Sequence, residues 1–260
     1  MTYDLLIFTN NPKAYAPIRI KQELEKRNRS CMIIKYGDEI PNAKRIFFRD
    51  FGESGKQKDL IQKLNSPKVI NFESFKKWPT LDKILQYKEF KKAKIPVVET
   101  STTYKDLDFP FIAKVSDSSQ GRGVKKINNK KELDEFIKNN SGNNILYQPF
   151  LHAGQDLRVI VLDGKVLGAM KRTAQKGEYL TNFSRGGKVD CYDIFNDLSA
   201  LNIAKKVAKH FKLDYCGVDL MKSDDGKWKV LEVNRACQFK GFELATGINV
   251  ASEIADYLNL

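Results

Sequence analysis

The chain has 260 residues, of which 42% are hydrophobic and 30% charged, and Lys and Arg exceed Asp and Glu by 45 to 32. These are the proportions of a soluble globular protein, and no stretch of the sequence approaches the ~18 unbroken apolar residues of a membrane span. Four cysteines without a CxxC pair, and only two histidines, argue against a zinc site. The net charge of +13 favours a polyanionic or acidic partner but does not decide which.

The first 77 residues alternate apolar, β-rich runs with segments of helical period, which predicts a small parallel α/β unit. The opening residues read as a strand without the basic region of a secretory signal, so a cytoplasmic location is expected. No glycine-rich dinucleotide fingerprint follows this strand, where Thr9-Asn10-Asn11-Pro12 stands instead, so a nicotinamide cofactor is not expected. The predicted elements are strands at 5–9, 32–35, 45–48 and 69–71, a helix from about Pro17 to Arg27, and a short helix near Leu60.

The segment 74–80 separates this unit from the rest of the chain, which mixes hairpins with helices. Thr80 is the expected cap of a helix that ends before Ile95-Pro96. Asn129, with Glu132 three residues later, predicts the capping box of the next helix. Further expected elements are strands at 111–115 and 145–150, a hairpin at 157–172 with a type I′ turn at Asp163-Gly164, a helix with Leu201, Ala204, Ala208 and Phe211 on one side, and a hairpin turning at Asp225-Gly226.

The last of these hairpins predicts a cation site. With Asp225-Gly226 as a two-residue turn, Asp219 faces Glu232 across the ladder, with Cβ atoms about 5 Å apart, and Asn234 lies on the same face. The apolar face of this register carries Val218 opposite Val233 and Leu220 opposite Leu231. Facing like charges destabilise a sheet unless a cation lies between them, and oxygen ligands of this kind suit Mg²⁺. The alternative is a pair of solvated surface acids.

A glycine-rich loop, SDSSQGRGV at 116–124, follows the strand that carries Lys114. Gly121 and Gly123 can adopt backbone angles that let N–H groups approach a phosphate. Lys114 adds a positive charge near the same place. Lys83, at the start of its helix, opposes the helix dipole, which favours a functional role over a structural one. An ordinary turn and ordinary surface lysines are the alternative.

Six segments follow one another in a characteristic order: VIN with LDKILQYKEFKKAKIPVVET, FIAKVSDSSQGRGV, ILYQPFLHAGQDLRVIVLDGKVLGAMKR, TNFSRGGKV, CGVDLM, and KVLEVNRACQFKGFELATGINVA. Together they resemble the ATP-grasp superfamily and, within it, the RimK-like glutamate ligases. The resemblance runs from about Val69 to Leu258. It implies an α/β (α+β) ATP-grasp fold, with a small pre-ATP-grasp parallel domain at 1–77 and an ATP-grasp domain at 78–260. Within the latter, the nucleotide lid would span about 100–150 and the metal-binding sheet about 151–260.

The resemblance also implies cofactors and residue roles. ATP would bind with one or two Mg²⁺ ions, or with Mn²⁺ in their place. The hinge strand Tyr147-Gln148-Pro149-Phe150 would hold adenine, with Phe150 offering it an aromatic face, and Asp156 would reach the ribose. The implied ATP-binding residues are Lys83, Lys114, Ser119, Gln120, Gly121, Gly123, Gln148, Pro149, Phe150, Leu151, Asp156, Thr181 and Asn182. The implied metal ligands are Asp219, Glu232 and Asn234, in agreement with the hairpin register, and the implied catalytic residues that stabilise the acyl-phosphate are Arg172, Arg158 and Arg185.

The sequence departs from the family pattern at three places. Pro149 replaces an acidic hinge residue, and Leu180 replaces an arginine. The four residues 235–238, Arg-Ala-Cys-Gln, replace the usual Ser-Pro-Gly after Asn234. This stretch would border the acceptor site, so it bears on substrate choice.

The implied reaction joins a carboxylate to an amine through an acyl-phosphate. The expected partners are an amino-acid donor, glutamate first, and a carboxylate acceptor such as an acidic peptide or protein tail. No membrane or nucleic acid is expected, and a homo-oligomer is compatible with the resemblance. Two alternatives stay open. One is a non-catalytic nucleotide- or nucleic-acid-binding protein, against which the intact metal triad argues. The other is a ligase that crosslinks a precursor peptide, for whose binding element 260 residues leave little room.

Overall fold

A computed structural model of the chain describes residues 2–35, 37–49, 69–116, 123–151, 154–181 and 186–260. The described residues form three β-sheets and seven α-helices, which confirms the predicted α/β class. Within these ranges, every helix is too short or too polar to traverse a lipid bilayer. The helix predicted near Leu60 lies outside the described residues.

The first sheet is parallel and has β1 (Tyr3–Phe8) between β2 (Cys31–Ile34) and β3 (Ala43–Phe48). The strand β1 is a nearly continuous apolar run because both of its faces are covered. On one face Leu5 and Ile7 pack with helix α1 (Tyr15–Lys26), and on the other Leu6 and Phe8 pack with Phe75. Val69 makes only an isolated bridge with Ile46, so the strand predicted at 69–71 is wrong.

Two helices lead from this sheet towards the second. Helix α2 (Phe72–Lys77) was not predicted. Helix α3 (Lys83–Lys92) begins at Asp82, whose side chain accepts a hydrogen bond from the backbone N–H of Leu85 at 2.8 Å. Asp82, and not Thr80, is therefore the N-cap.

The second sheet is antiparallel and has β4 (Phe111–Val115) between β5 (Val124–Ile127) and β6 (Ile145–Pro149). Helix α4 (Lys130–Asn139) packs on it through Leu133 and Phe136. The predicted cap is confirmed, since Asn129 accepts the N–H of Glu132 at 3.0 Å. Glu132 in return accepts the backbone N–H of Asn128 at 2.9 Å.

The third and largest sheet carries most of the predicted site. Its strands lie in the order β11-β10-β7-β8-β9. Their bounds are β7 (Gln155–Leu162), β8 (Lys165–Thr173), β9 (Lys188–Tyr192), β10 (Tyr215–Lys222) and β11 (Trp228–Asn234). Helix α5 (Leu198–His210) packs on one face of this sheet, and the residues of α6 (Lys240–Thr246) and α7 (Val250–Tyr257) belong to the core on the other. The predicted type I′ turn is confirmed, since Asp163 and Gly164 have φ of +50° and +70°.

The hairpin β10–β11 differs from its prediction in two ways that cancel. The loop has three residues, 224–226, and not the two predicted, because the N–H of Ser223 donates to the carbonyl of Lys227 at 2.9 Å. Leu220 therefore pairs with Val230 and not with Leu231, so that part of the predicted register is wrong. An irregularity between Asp219 and Leu220 then restores the register, and Asp219 faces Glu232 as predicted.

The first and third sheets share one apolar core. It includes Leu5 and Phe47 from the first sheet, Ile160 and Tyr215 from the third, and Phe242 from α6. The residues before and after the predicted boundary at residue 77 thus pack against each other directly. The division into 1–77 and 78–260 stays a prediction.

Candidate active site

A cleft lies between the second and third sheets. Helix α3 contributes Lys83 and Gln86 to its walls, the second sheet contributes Lys114 and Gln148, and strand β11 contributes Leu231. Three of the residues predicted to bind ATP, far apart in the sequence, therefore line one space. Apolar side chains, including Phe90 and Leu146, complete the walls. A space with apolar walls and a few convergent polar groups is the usual form of a small-molecule site.

The two lysines of the cleft differ in their surroundings. Lys83 donates from Nζ to the carbonyl oxygen of Ser116 at 3.2 Å, at the start of the glycine-rich loop. Burial lowers the pKa of Lys114 to about 8, although Glu232, Asp156 and Asp219 attract its charge. The neighbouring positive charge of Lys83 contributes to this lowering of the pKa. Lys114 is therefore a desolvated cation that a phosphate would stabilise.

The third sheet holds a buried network of arginines and carboxylates. Arg158 donates from Nε and Nη2 to the two oxygens of Asp219, at 2.8 and 2.6 Å. Arg172 donates in the same way to Asp156, at 2.6 and 2.7 Å, and its Nη2 also lies 3.0 Å from Asp219. The hydroxyl of Thr181 donates to Asp156 at 2.8 Å. Such bidentate ion pairs fix the side chains in position and also neutralise their charges.

The pairing explains how Asp219 stays charged although it is only 2% exposed. Burial alone would raise the pKa of this carboxyl group, but Arg158 and Arg172 outweigh burial and lower the pKa to about 2. The two carboxylates likewise raise the pKa of Arg172, against the effect of its own burial. Asp219 and Arg172 are therefore both charged throughout the physiological pH range.

The predicted metal ligands lie together beside this network. Asp219 and Glu232 are directly paired across the hairpin, and the Nδ2 of Asn234 donates to Glu232 at 3.1 Å. The donor set is two carboxylates and one amide, and Asp219 accepts two N–H bonds from Arg158 and forms an ion pair with Arg172. These hard oxygen donors fit a Mg²⁺ ion. In the part of the chain that the structure describes, no cluster of three or more His, Cys, Asp or Glu side chains suits a metal.

The charge of this region favours a metal that arrives with phosphate. Three carboxylates, those of Asp156, Asp219 and Glu232, stand with four cations, those of Lys83, Lys114, Arg158 and Arg172. The group has an excess of positive charge, which attracts a polyphosphate and opposes a bare divalent cation. Phosphate oxygens would supply the missing negative charge.

Gln86 is a positioning residue that the sequence did not reveal. Its side chain accepts the backbone N–H of Val233 at 2.8 Å and donates to the carbonyl of Leu81 at 2.9 Å. Strand β11 is an edge strand, so this N–H has no strand partner on its outer side. Gln86 thereby ties the backbone between Glu232 and Asn234 to the helix that begins with Lys83. Only the packing of α3 against β11 could have shown this.

Comparison with known proteins agrees with this geometry. The profile of the RimK-like ATP-grasp domain matches residues 81–258. The chain belongs to the RimK-like ATP-grasp family. A probable alpha-L-glutamate ligase from Aeromonas salmonicida is 38% identical over 157 residues, which cover 58% of this chain and 51% of that protein. The chain thus spans about half the length of the curated relatives it matches.

Solved structures share the fold over the whole chain. The ATP-grasp ligase PsnB complexed with minimal precursor has a TM-score of 0.74 at 16% identity, and the match covers 100% of this chain and 99% of PsnB. A RimK domain ATP-grasp protein from Sphaerobacter thermophilus has a TM-score of 0.73 at 17% identity, with 97% and 98% of the two chains covered. At these identities the likeness shows the ATP-grasp fold.

In this ATP-grasp fold, the hinge predicted to hold adenine lies at the end of β6. Gln148 is buried in the cleft and donates from Nε2 to the hydroxyl of Thr100 at 2.7 Å. Pro149 still pairs with Phe111 in the sheet. Phe150 presents its ring to Lys126, whose Nζ lies 4.1 Å from the ring centre. Leu151 follows, half-buried, and adenine contacts by these residues stay a prediction.

Of the remaining predicted site residues, some lie in the described part of the chain and others lie outside it. Both oxygens of Asp156 accept hydrogen bonds within the network, so its predicted contact with ribose stays a prediction. Gly123 has φ of +65°, and its carbonyl accepts the N–H of Val115 at 2.8 Å. The predicted residues that lie outside the described part of the chain are Ser119, Gln120, Gly121, Asn182 and Arg185.

The unusual stretch after Asn234 turns its first residue away from the metal ligands. Arg235 donates to the carbonyl oxygens of Trp78 and Pro79, at 2.7 and 3.2 Å, and lies over the ring of Phe75. Burial lowers its pKa to about 9. Cys237 is buried against Gly217, and burial raises the pKa of its thiol, as expected for a packing residue.

Proposed function

We propose that this protein is an ATP-dependent carboxylate–amine ligase that forms an amide bond through an acyl-phosphate. The observation that carries the proposal is the convergence of the two cleft lysines on the arginine–carboxylate network beside Asp219, Glu232 and Asn234. Phosphoryl transfer depends mainly on positioning and charge neutralisation, and this region supplies both. No cysteine or serine nucleophile is required.

In the proposed reaction a carboxylate oxygen of the substrate attacks the γ-phosphorus of ATP, and the bond from that phosphorus to ADP breaks. The amine of the second substrate then attacks the carbonyl carbon of the acyl-phosphate. The C–N bond forms, phosphate leaves, and the amine loses a proton. Lys83 and Lys114 would bind the phosphates, and Arg172 and Arg158 would stabilise the negative charge that develops on the acyl oxygen.

Asp219, Glu232 and Asn234 would hold one or two Mg²⁺ ions. A bound Mg²⁺ ion would neutralise phosphate charge. The hydrogen bond from Val233 to Gln86 would keep these ligands in place relative to Lys83.

Glutamate is the proposed amine substrate, because several curated relatives are described as probable alpha-L-glutamate ligases. The net charge of +13 supports an acidic peptide or protein tail as the carboxylate substrate. Peptide crosslinking remains a second candidate. PsnB, described as complexed with a minimal precursor, matches this chain end to end, so the short length of this chain is no argument against it.

The test is an acceptor screen. Purified protein is incubated with Mg²⁺, ATP and a panel of amino acids and acidic peptides. Phosphate release is measured with a coupled assay and products by mass spectrometry. The proposal predicts phosphate release together with a product heavier by one amino-acid residue. A product lighter by one water, formed from a peptide alone, would indicate crosslinking, and absence of phosphate release with every acceptor would refute the ligase proposal.

A further inference from the structure

Arg49 is a buried cation with no acidic partner in the described ranges of the chain. It follows β3 directly and is only 2% exposed. Its Nη2 donates to the carbonyl oxygen of Cys237 at 2.6 Å. Its Nε and Nη1 are buried and make no hydrogen bond. Buried polar groups are almost always paired, and a buried charge with unused donors is costly unless an anion joins it.

The surroundings of Arg49 hold it without neutralising it. The guanidinium lies 5.0, 5.6 and 5.8 Å from the ring centres of Phe47, Tyr215 and Phe239. Tyr215 also donates from its hydroxyl to the carbonyl of Cys237, at 3.1 Å. The rings and this carbonyl fix the position of the positive charge. They supply no formal negative charge.

Arg49 lies close to the catalytic region. Its hydrogen-bond partner Cys237 comes three residues after Asn234. The side chain of Cys237 packs on Gly217, where an added Cβ would lie 2.7 Å from that of Cys237 and 3.6 Å from the Cδ of Arg158. Arg49 also stands at the carboxyl end of a parallel strand, which is where open α/β sheets bind their ligands.

Arg158 and Arg172 offer a contrast. Arg158 and Arg172 are each neutralised by a carboxylate of the protein itself. Arg49 has no such partner among the described residues, so its positive charge can be neutralised by an anion that comes from outside. An aromatic surround around a planar cation with unused N–H donors suits a carboxylate, a planar anion whose oxygens accept hydrogen bonds.

We propose that Arg49 binds a carboxylate group of a substrate. This choice of anion rests on the ligase function proposed above, whose two substrates, the acid and the amino acid, both carry one. Because the guanidinium is covered, a carboxylate must displace part of what covers it, so modest affinity is expected.

The test compares thermal unfolding of the full chain in sodium acetate and in sodium chloride at equal ionic strength. At acetate concentrations that nearly saturate the site, wild type should melt roughly 2–4 °C higher in acetate than in chloride. Arg49→Met should show no such difference. Arg49→Met should melt at the same temperature as wild type in chloride, or above it, because it removes an uncompensated buried charge. Arg49→Lys should keep part of the acetate effect. Arg45→Met, on the same strand, is the matched control and should respond as wild type does.

Two further arms identify the source of the carboxylate. L-glutamate represents the incoming amino acid, and an N-acetylated peptide ending in glutamate represents the acid that is activated. The compound that gives the larger Arg49-dependent rise in melting temperature identifies the substrate. Binding of an ATP analogue should be equal in wild type and Arg49→Met. Equal shifts in both proteins, or a lower melting temperature of Arg49→Met in chloride, would show that Arg49 only supports the fold. Since no turnover is measured, failure of the ligase proposal would leave this result standing.

Discussion

The large sheet and the cleft beside it both carry desolvated positive charge, but they stabilise it differently. Arg158 and Arg172 on the large sheet are each bound by carboxylates through two hydrogen bonds. Lys114 in the cleft has no ion pair within the described ranges, and burial lowers its pKa to about 8. The large sheet therefore neutralises its arginines with its own carboxylates, whereas the charge of Lys114 would be neutralised by a bound anion.

The largest effect is expected from removing a carboxylate that neutralises the arginines of the large sheet. Asp219→Asn leaves two buried arginines short of negative charge and should lower the free energy of unfolding by about 3–5 kcal/mol. Glu232→Gln, at a half-buried position without an arginine, should change it by about 1 kcal/mol or less. Both variants should reduce phosphate release by roughly 10²–10³-fold. Urea denaturation and the coupled phosphate assay measure the two effects, and equal stability of the two variants would contradict the assigned role of Asp219.

Removing the charge of the cleft should affect binding and leave folding intact. Lys114→Met should weaken binding of an ATP analogue by roughly 10- to 100-fold, because a charged hydrogen bond to phosphate is lost. Titration calorimetry provides the measurement. Lys125→Met is the matched control, since Lys125 pairs with Ala113 and so lies on the opposite face of the same sheet. If both variants bound equally well, Lys114 would not face the phosphates.

Gln86 connects the two regions, and its loss should affect both. Gln86→Leu leaves the buried N–H of Val233 without a partner and should cost about 1–2 kcal/mol of stability. It should also raise the Mg²⁺ concentration required for half-maximal phosphate release. Lys88→Leu, at an exposed position of the same helix, is the control. An unchanged Mg²⁺ requirement would limit Gln86 to a structural role.

The lowered pKa of Lys114 predicts a pH dependence of nucleotide binding. A bound phosphate favours the protonated amine, so affinity should be constant below pH 8 and should fall as pH rises through about 8. The fall should approach tenfold per pH unit and should disappear in Lys114→Arg, which stays charged. Calorimetry between pH 7 and pH 9.5 tests this. A similar decline in Lys114→Arg would assign the titration to another group.

The smallest effect should come from Mg²⁺ alone. Because cations outnumber carboxylates around Asp219, millimolar Mg²⁺ without nucleotide should leave the melting temperature unchanged within about 1 °C. Mg²⁺ with ADP should raise it by several degrees. A clear stabilisation by Mg²⁺ alone would show that Asp219 and Glu232 form a complete site by themselves.

The ordered motifs of the sequence determined the family, the fold class and the two strands that bring Asp219 opposite Glu232. Local chemistry sufficed there, since Asn129 caps its helix and Asp163-Gly164 forms its turn through residues that are close together in the chain. The length of the second hairpin loop could not be read in this way. The same sequence is compatible with a three-residue loop and with a two-residue loop. The irregularity beside Asp219 depends on packing between strands.

Only the tertiary structure decided how the charges are paired. Arg158 and Asp219 are 61 residues apart in the chain, and Gln86 and Val233 are 147 apart. Periodicity reports which face of an element is buried, but it does not report which polar group of another element lies opposite. The burial of Arg49 against Tyr215 of β10 and against the segment that follows Asn234 is a contact of the same kind. It exists because the first and third sheets share one core.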